Sequence, residues 1–121
     1  MIHIGTAGWT IPRKFAQHFP VVGSGLQRYA TRFNAAEINT TFYRSHQPKT
    51  YARWLAGVPD DFRFAVKMPK AITHERRFAD VADLLDRFAD EIAALGPKLG
   101  PILIQLPPSF AFDRASAAPG P

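Results

Sequence analysis

The chain has no cysteine. Disulfide staples, thiol nucleophiles and thiolate metal sites within it are therefore excluded, while the compartment stays open. No apolar run approaches the roughly 18–20 residues that cross a bilayer. Met1 leads straight into an apolar strand pattern, with no basic region and longer apolar segment of the signal-peptide kind. No membrane partner is expected, and the cytoplasm is the default location. Blocks of one charge are also missing. The 15 basic and 10 acidic residues, net +5, are scattered, and the longest basic runs are pairs such as Arg13-Lys14 and Arg76-Arg77. A basic excess admits a nucleic-acid partner or an anionic ligand. Without a basic stripe, solubility is the readier explanation, and nucleic acid is not favoured.

What is present suffices for one core. The 121 residues make at most one domain. Ten Phe, two Trp and three Tyr supply bulk, and most of the eleven Pro and eight Gly separate patterned segments. Ile2–Gly5 alternates as a short strand and runs into the loop Thr6-Ala7-Gly8-Trp9-Thr10. Pro12 suits the start of a helical turn through Phe15. Leu26, Tyr29, Ala30 and Phe33 recur at helical spacing. Ala35–Asn39 reads as a buried strand with a polar loop through Tyr43 and Arg44. A second helix begins at Pro48, with Tyr51, Trp54, Leu55 and Val58 on one stripe. Phe62–Lys67 is the clearest strand, followed by a loop from Met68 to Arg77. Asp80 or Asp83 can cap a third helix with the stripe Leu84, Leu85, Phe88, Ala89, Ile92 and Leu95. Gly96-Pro97 stops it, and Ile102–Leu106 is a fourth strand before Pro107-Pro108.

Strands alternating with helices imply parallel pairing through crossovers. An open doubly wound sheet and a (β/α)₈ barrel both fit that order. The strands favour the barrel. One face carries Ile2/Ile4, Ile38, Phe64/Val66 and Ile102/Ile104, bulk that helices cover. The other carries His3/Gly5, Glu37/Asn39, Ala65/Lys67 and Leu103/Gln105, which are small, charged or polar toward the C-terminal ends, where a barrel places function. The expected fold class is α/β, about four βα units forming half of a TIM-type barrel over 1–113, with a disordered tail at 114–121.

Chemistry is expected where the polar face meets the strand ends. Glu37 and Asn39, two residues apart, leave the same face of an extended chain. Lys67 and Gln105 stand at the same end of the next strands, and Trp9, Tyr43 and His74 come from loops. Glu37, Lys67 and His74 are the candidate catalytic residues; Trp9, Asn39, Tyr43 and Gln105 are the candidate substrate-binding residues. A carboxylate and an ammonium side by side can move a proton or hold charge on an alkoxide or enolate. The alternative is an interior ion pair that only fixes register, but four polar inward positions at the same strand end favour function. A Schiff-base role for Lys67 has no other supporting signal. His74 alone in its loop can be an acid/base or a metal ligand, His3 reads as a layer residue at the barrel floor, and His18 and His46 lack ligand-like spacing, so no specific metal site is expected. Gly5-Thr6-Ala7-Gly8 is not a phosphate loop, and no cofactor can be named.

Four stretches together resemble the YecE-like proteins of domain-of-unknown-function family 72. They are Ile4-Gly5-Thr6-Ala7-Gly8-Trp9; Glu37-Ile38-Asn39-Thr40-Thr41-Phe42-Tyr43; Phe62 to Pro69 with Ile72-Thr73-His74; and Leu99 to Phe110. The resemblance implies a TIM-type barrel of roughly twice this length, and it implies no established activity. It also implies that the second half of a barrel is absent here, which leaves open strand edges and the option of self-association. Two functional readings follow. The first is a small-molecule enzyme acting on a polar or anionic substrate at the C-terminal ends of the strands. The alternative is a non-catalytic binding protein for an anionic ligand or nucleic acid, or an inactive remnant.

Overall fold

The computed structural model describes residues 1–108. Strands β1 (Gly5–Ala7), β2 (Ala35–Ile38), β3 (Arg63–Lys67) and β4 (Leu99–Leu103) form one sheet in the order β1-β2-β3-β4, every pair parallel. Helices α1 (Gly25–Tyr29), α2 (Pro48–Ala56) and α3 (Ala82–Ile92) fill the three crossovers. The α/β alternation is as the residue pattern predicts. The expected tail at 114–121 lies outside the described residues.

The sheet has one covered face and one open face. On β2 and β3 the residues Ala36, Ile38, Phe64 and Val66 are buried, and their alternates Ala35, Glu37, Arg63, Ala65 and Lys67 are half-buried. Leu26, Tyr29, Tyr51, Phe88, Ile92 and Leu95 close the covered face. The outermost strands are less protected. Ile2 and Ile4 are 80% and 64% exposed and Ile104 is 55% exposed, because β1 and β4 each have a neighbour on one side alone among the described residues.

Several element boundaries move, each for a local reason. β1 begins at Gly5, not Ile2. Before it, the Asn34 side chain takes the place of a ladder, accepting from the Ile4 N–H at 2.7 Å and donating to the Ile2 carbonyl at 2.8 Å. β4 begins at Leu99 and ends at Leu103, so the expected 102–106 run is shifted. Leu99 already pairs with Phe64, and the register then slips around Gly100 and Pro101, since proline has no N–H for a ladder. The last ladder bond runs from the Met68 N–H to the Leu103 carbonyl at 2.8 Å, and Pro69 can extend the pairing no further.

α1 is short. Ser24 and Gln27 form a reciprocal capping box, but regular helix ends at Tyr29. Phe33 reaches the stripe through turns and stacks on Tyr29 with ring centres 4.8 Å apart. α3 lacks the expected aspartate cap: its N-cap is Val81, with no side-chain bond. Asp80 is in the left-handed region at φ 51° and its carbonyl accepts from Arg76, while Asp83 sits in the first turn, where its charge suits the helix dipole. The predicted loop after β3 contains one π-helical turn, Ala71–Glu75. Past α3, a tighter 3₁₀ segment breaks at Gly96, whose φ is 54°. The Lys98 ammonium donates to the carbonyls of Leu55 and Val58 at 3.3 and 3.2 Å, closing the C-terminal end of α2. Among the described residues, no helix is long and apolar enough to cross a membrane.

Candidate functional site

The parallel register sorts the open face into levels. Gly5, Ala35 and Arg63 form the lowest; Ala7, Glu37 and Ala65 form the next. Lys67 is opposite Leu103 one pleat step higher. Its neighbours Ala7 and Ala65 leave Glu37 as the long side chain of its level. Strands in register do not set Glu37 against Lys67. Two residues of strand, roughly 6–7 Å, separate their positions along the sheet, and neither has an ion-pair partner among the described residues. Asn39 also departs from expectation. The chain leaves the extended conformation there (φ −102°, ψ −12°) and enters a 3₁₀ turn at Thr40–Phe42.

That turn builds the top of the site. Thr41, buried, donates its hydroxyl toward the Lys67 carbonyl at 2.7 Å and the Ile38 carbonyl at 3.2 Å, fastening the turn to the ends of β3 and β2. Phe42 is thereby fixed as a hub. The Lys67 ammonium lies 4.3 Å from its ring centre. The His74 ring meets it edge-on at 5.0 Å, and Tyr43 does so at 5.0 Å. Lys70 stands 5.7 Å from the Tyr43 ring. The structure therefore brings Lys67, His74 and Tyr43 together around one aromatic residue. Tyr43 is 70% exposed, so its outer face is available.

Of the other predicted residues, Trp9, Glu37 and Asn39 meet at a separate cleft and Gln105 stands apart. Trp9 packs edge-on against Trp54 at 5.1 Å and Phe64 at 6.2 Å, as part of the covered side. With Gly8, Thr10, Glu37, Asn39, Thr40 and Trp54 it lines a cleft of about 250 Å³ at the ends of β1 and β2. The Gly8 N–H donates to the Glu37 carbonyl at 2.8 Å at the base of this cleft. Gln105 is exposed and lies beyond the end of β4. Among the described residues, no three His, Asp or Glu side chains converge to hold a metal ion.

One polar cluster had no forewarning in the sequence. Tyr51, with no exposed surface, donates its hydroxyl to the Glu91 carboxylate, which also accepts from the His46 N–H at 3.0 Å. The His46 Nε2 lies 2.7 Å from the Thr40 hydroxyl, and its ring meets Trp54 at 5.3 Å. Burial pushes the Tyr51 phenol well above its ordinary range, with the Glu91 hydrogen bond and charge adding to the shift. Burial lowers the pKa of His46, which Glu91 opposes and Arg44 reinforces. Lys70 was also missed. No periodic pattern marks either feature, because both depend on contacts between loops and helices distant in sequence.

Comparison with known proteins gives one consistent result. A family model described as "Protein of unknown function DUF72" matches residues 3–118. YecE of Escherichia coli K12 is 34% identical over 110 residues, covering 91% of this chain and 39% of that protein. YunF of Bacillus subtilis 168 is 27% identical, covering 98% of this chain and 44% of its own length. This chain therefore spans about two-fifths of the curated relatives it matches. A DUF72 crystal structure from Thermotoga maritima superposes with a TM-score of 0.73 at 28% identity over 94% of this chain and 47% of its own. One from Enterococcus faecalis superposes at 0.76 and 24% identity, over 95% of this chain and 43% of its own, a likeness of fold alone.

Proposed function

This chain belongs to the DUF72 family of proteins of unknown function, and from that premise and the open-face geometry we propose that it binds a polar, anionic small molecule at the C-terminal ends of its strands, within one part of a TIM-type barrel. Lys67 receives the ligand's negative charge. Glu37, one pleat step below, anchors a ligand hydroxyl, and it and His74, across the Phe42 ring, act as proton donor or acceptor. The observation that carries this reading is the state of the two charges. Lys67 and Glu37 are half-buried on the open face, and neither has an opposite charge as partner among the described residues. A register-fixing ion pair would join them directly. Charges held apart at the strand ends leave the space and the unspent interactions that a ligand needs.

The test is a thermal-shift screen of the 121-residue chain against small hydroxy acids, sugar phosphates and neutral sugars. Acidic compounds are expected to raise Tm, and Glu37→Gln and Lys67→Gln are expected to abolish the rise. If hits stabilise the double variant as well as the parent, Glu37 and Lys67 are not the site.

A further inference from the structure

The segment after β3 concentrates several unusual features above Lys67. Its π-helical turn Ala71–Glu75 is a rare geometry often found at functional sites. Arg77, Phe78 and Asp80 follow with φ of 49°, 65° and 51°, a left-handed conformation that non-glycine residues adopt at a cost of order 1–3 kcal/mol each. The same segment supplies two further nitrogen groups. His74 has its Nδ1 2.7 Å from the buried Thr73 hydroxyl, and its Nε2 has no protein partner among the described residues. The Lys70 ammonium lies against Tyr43 and likewise has no carboxylate partner there.

We infer that Lys67, Lys70 and His74 form an oxyanion-binding subsite framed by the Phe42 and Tyr43 rings, and that the ligand carries a phosphate or carboxylate group that all three contact. This deepens the function proposed above and rests on its location. An ammonium over an aromatic face keeps its N–H donors for a further acceptor, because the ring offers only its quadrupole. Two ammoniums and an imidazole can thus contribute directed charge-assisted bonds to one oxyanion.

Inorganic phosphate is the probe. It is titrated into the full chain at low ionic strength, with backbone amide resonances followed by NMR. Saturable shifts are expected in 67–78 and at Phe42 and Tyr43, with Lys70→Gln and His74→Gln each weakening binding about tenfold. Urea midpoints of the variants, unchanged within about 0.5 M, keep loss of fold apart from loss of binding. Absence of saturable shifts in the parent chain overturns the inference without any variant, and so does parent-like binding by Lys70→Gln and His74→Gln. Glu37→Gln separates the two proposals. Phosphate binding that depends on Lys70 and His74, with Glu37→Gln leaving the thermal-shift hits intact, retains the subsite and removes Glu37 from the binding site. Hits that require Glu37 but are indifferent to Lys70 and His74 do the reverse.

Discussion

Replacing Tyr51 by Phe removes one hydroxyl and leaves the ring, so its cost isolates the bond to Glu91. The site is demanding. Tyr51 has no exposed surface, and its phenol is pushed well above its usual pKa by burial first and by Glu91 second, so it stays a neutral donor. A hydrogen bond to a charged partner contributes roughly 1.5–3 kcal/mol. Glu91 is only half-buried and keeps the His46 N–H as a second donor, so water and that amide recover part of the loss. The lower part of the range applies, about 1.5–2 kcal/mol. With a urea m-value of about 1.5 kcal/mol/M for a chain of this size, the midpoint falls by about 1 M. Urea unfolding followed by far-UV circular dichroism measures it, with Glu91→Ala and the double variant completing a cycle. A coupling above about 1 kcal/mol is expected between the two positions, since each substitution removes the same bond. If the two effects add within about 0.3 kcal/mol, the bond contributes nothing to stability.

Two further outcomes follow from other parts of the molecule. At Gly5 an added Cβ would meet the Ala35 carbonyl oxygen at 1.8 Å, and strand backbone cannot swing aside as a side chain can. Gly5→Ala is therefore expected to destabilise by about 3 kcal/mol or more, and a urea midpoint within about 0.3 M of the parent would refute the close approach of β1 to β2. His46 makes stability depend on pH. Burial lowers its folded-state pKa below the ordinary 6.5, so the unfolded chain binds more protons just below that value. The stabilising contribution is complete above about pH 6.5 and is lost as pH falls from there toward the folded pKa. His46→Gln should flatten the rise of the urea midpoint with pH in this window, and an unchanged slope would exclude His46 as its source.

The parts of the fold legible in the residues are those that local chemistry alone decides. Phe62-Arg63-Phe64-Ala65-Val66-Lys67 alternates without interruption, and its even-numbered side chains from Phe62 to Val66 are all buried. Period-two bulk against period-two polarity admits one orientation of a strand on helices. The outer strands were misplaced because their limits depend on partners. Ile2 and Ile4 alternate as well as any strand, yet Asn34 holds their backbone in place of a ladder. The apolar run 102–106 loses its partner where Pro69 ends the pairing available to β4. The aspartate cap of α3 fails for the same kind of reason: Asp80 is bound into the left-handed turn that positions the segment before it.

The site was legible by residue type and misread by distance. An acid and an ammonium near neighbouring strand ends were visible, but a register in which Glu37 faces Ala65 instead of Lys67 turns an expected pair into two separate groups. What takes the place of that pair is aromatic. Phe42 and Tyr43 hold the cations, and their own position is set from two sides. Thr41 ties the start of their loop to the Lys67 carbonyl, while His46 ties its far end to Glu91 on α3 and to Thr40. Glu91 is 45 residues from His46, so no spacing rule connects them. One tie from the helix layer thus reaches the loop that carries the rings against which the ammoniums lie. A substitution at Glu91 should on this account displace the Phe42 and Tyr43 resonances and weaken phosphate binding without touching any group that contacts phosphate. Resonances of Phe42 and Tyr43 that ignore Glu91→Gln would show that the loop is held by Thr41 alone.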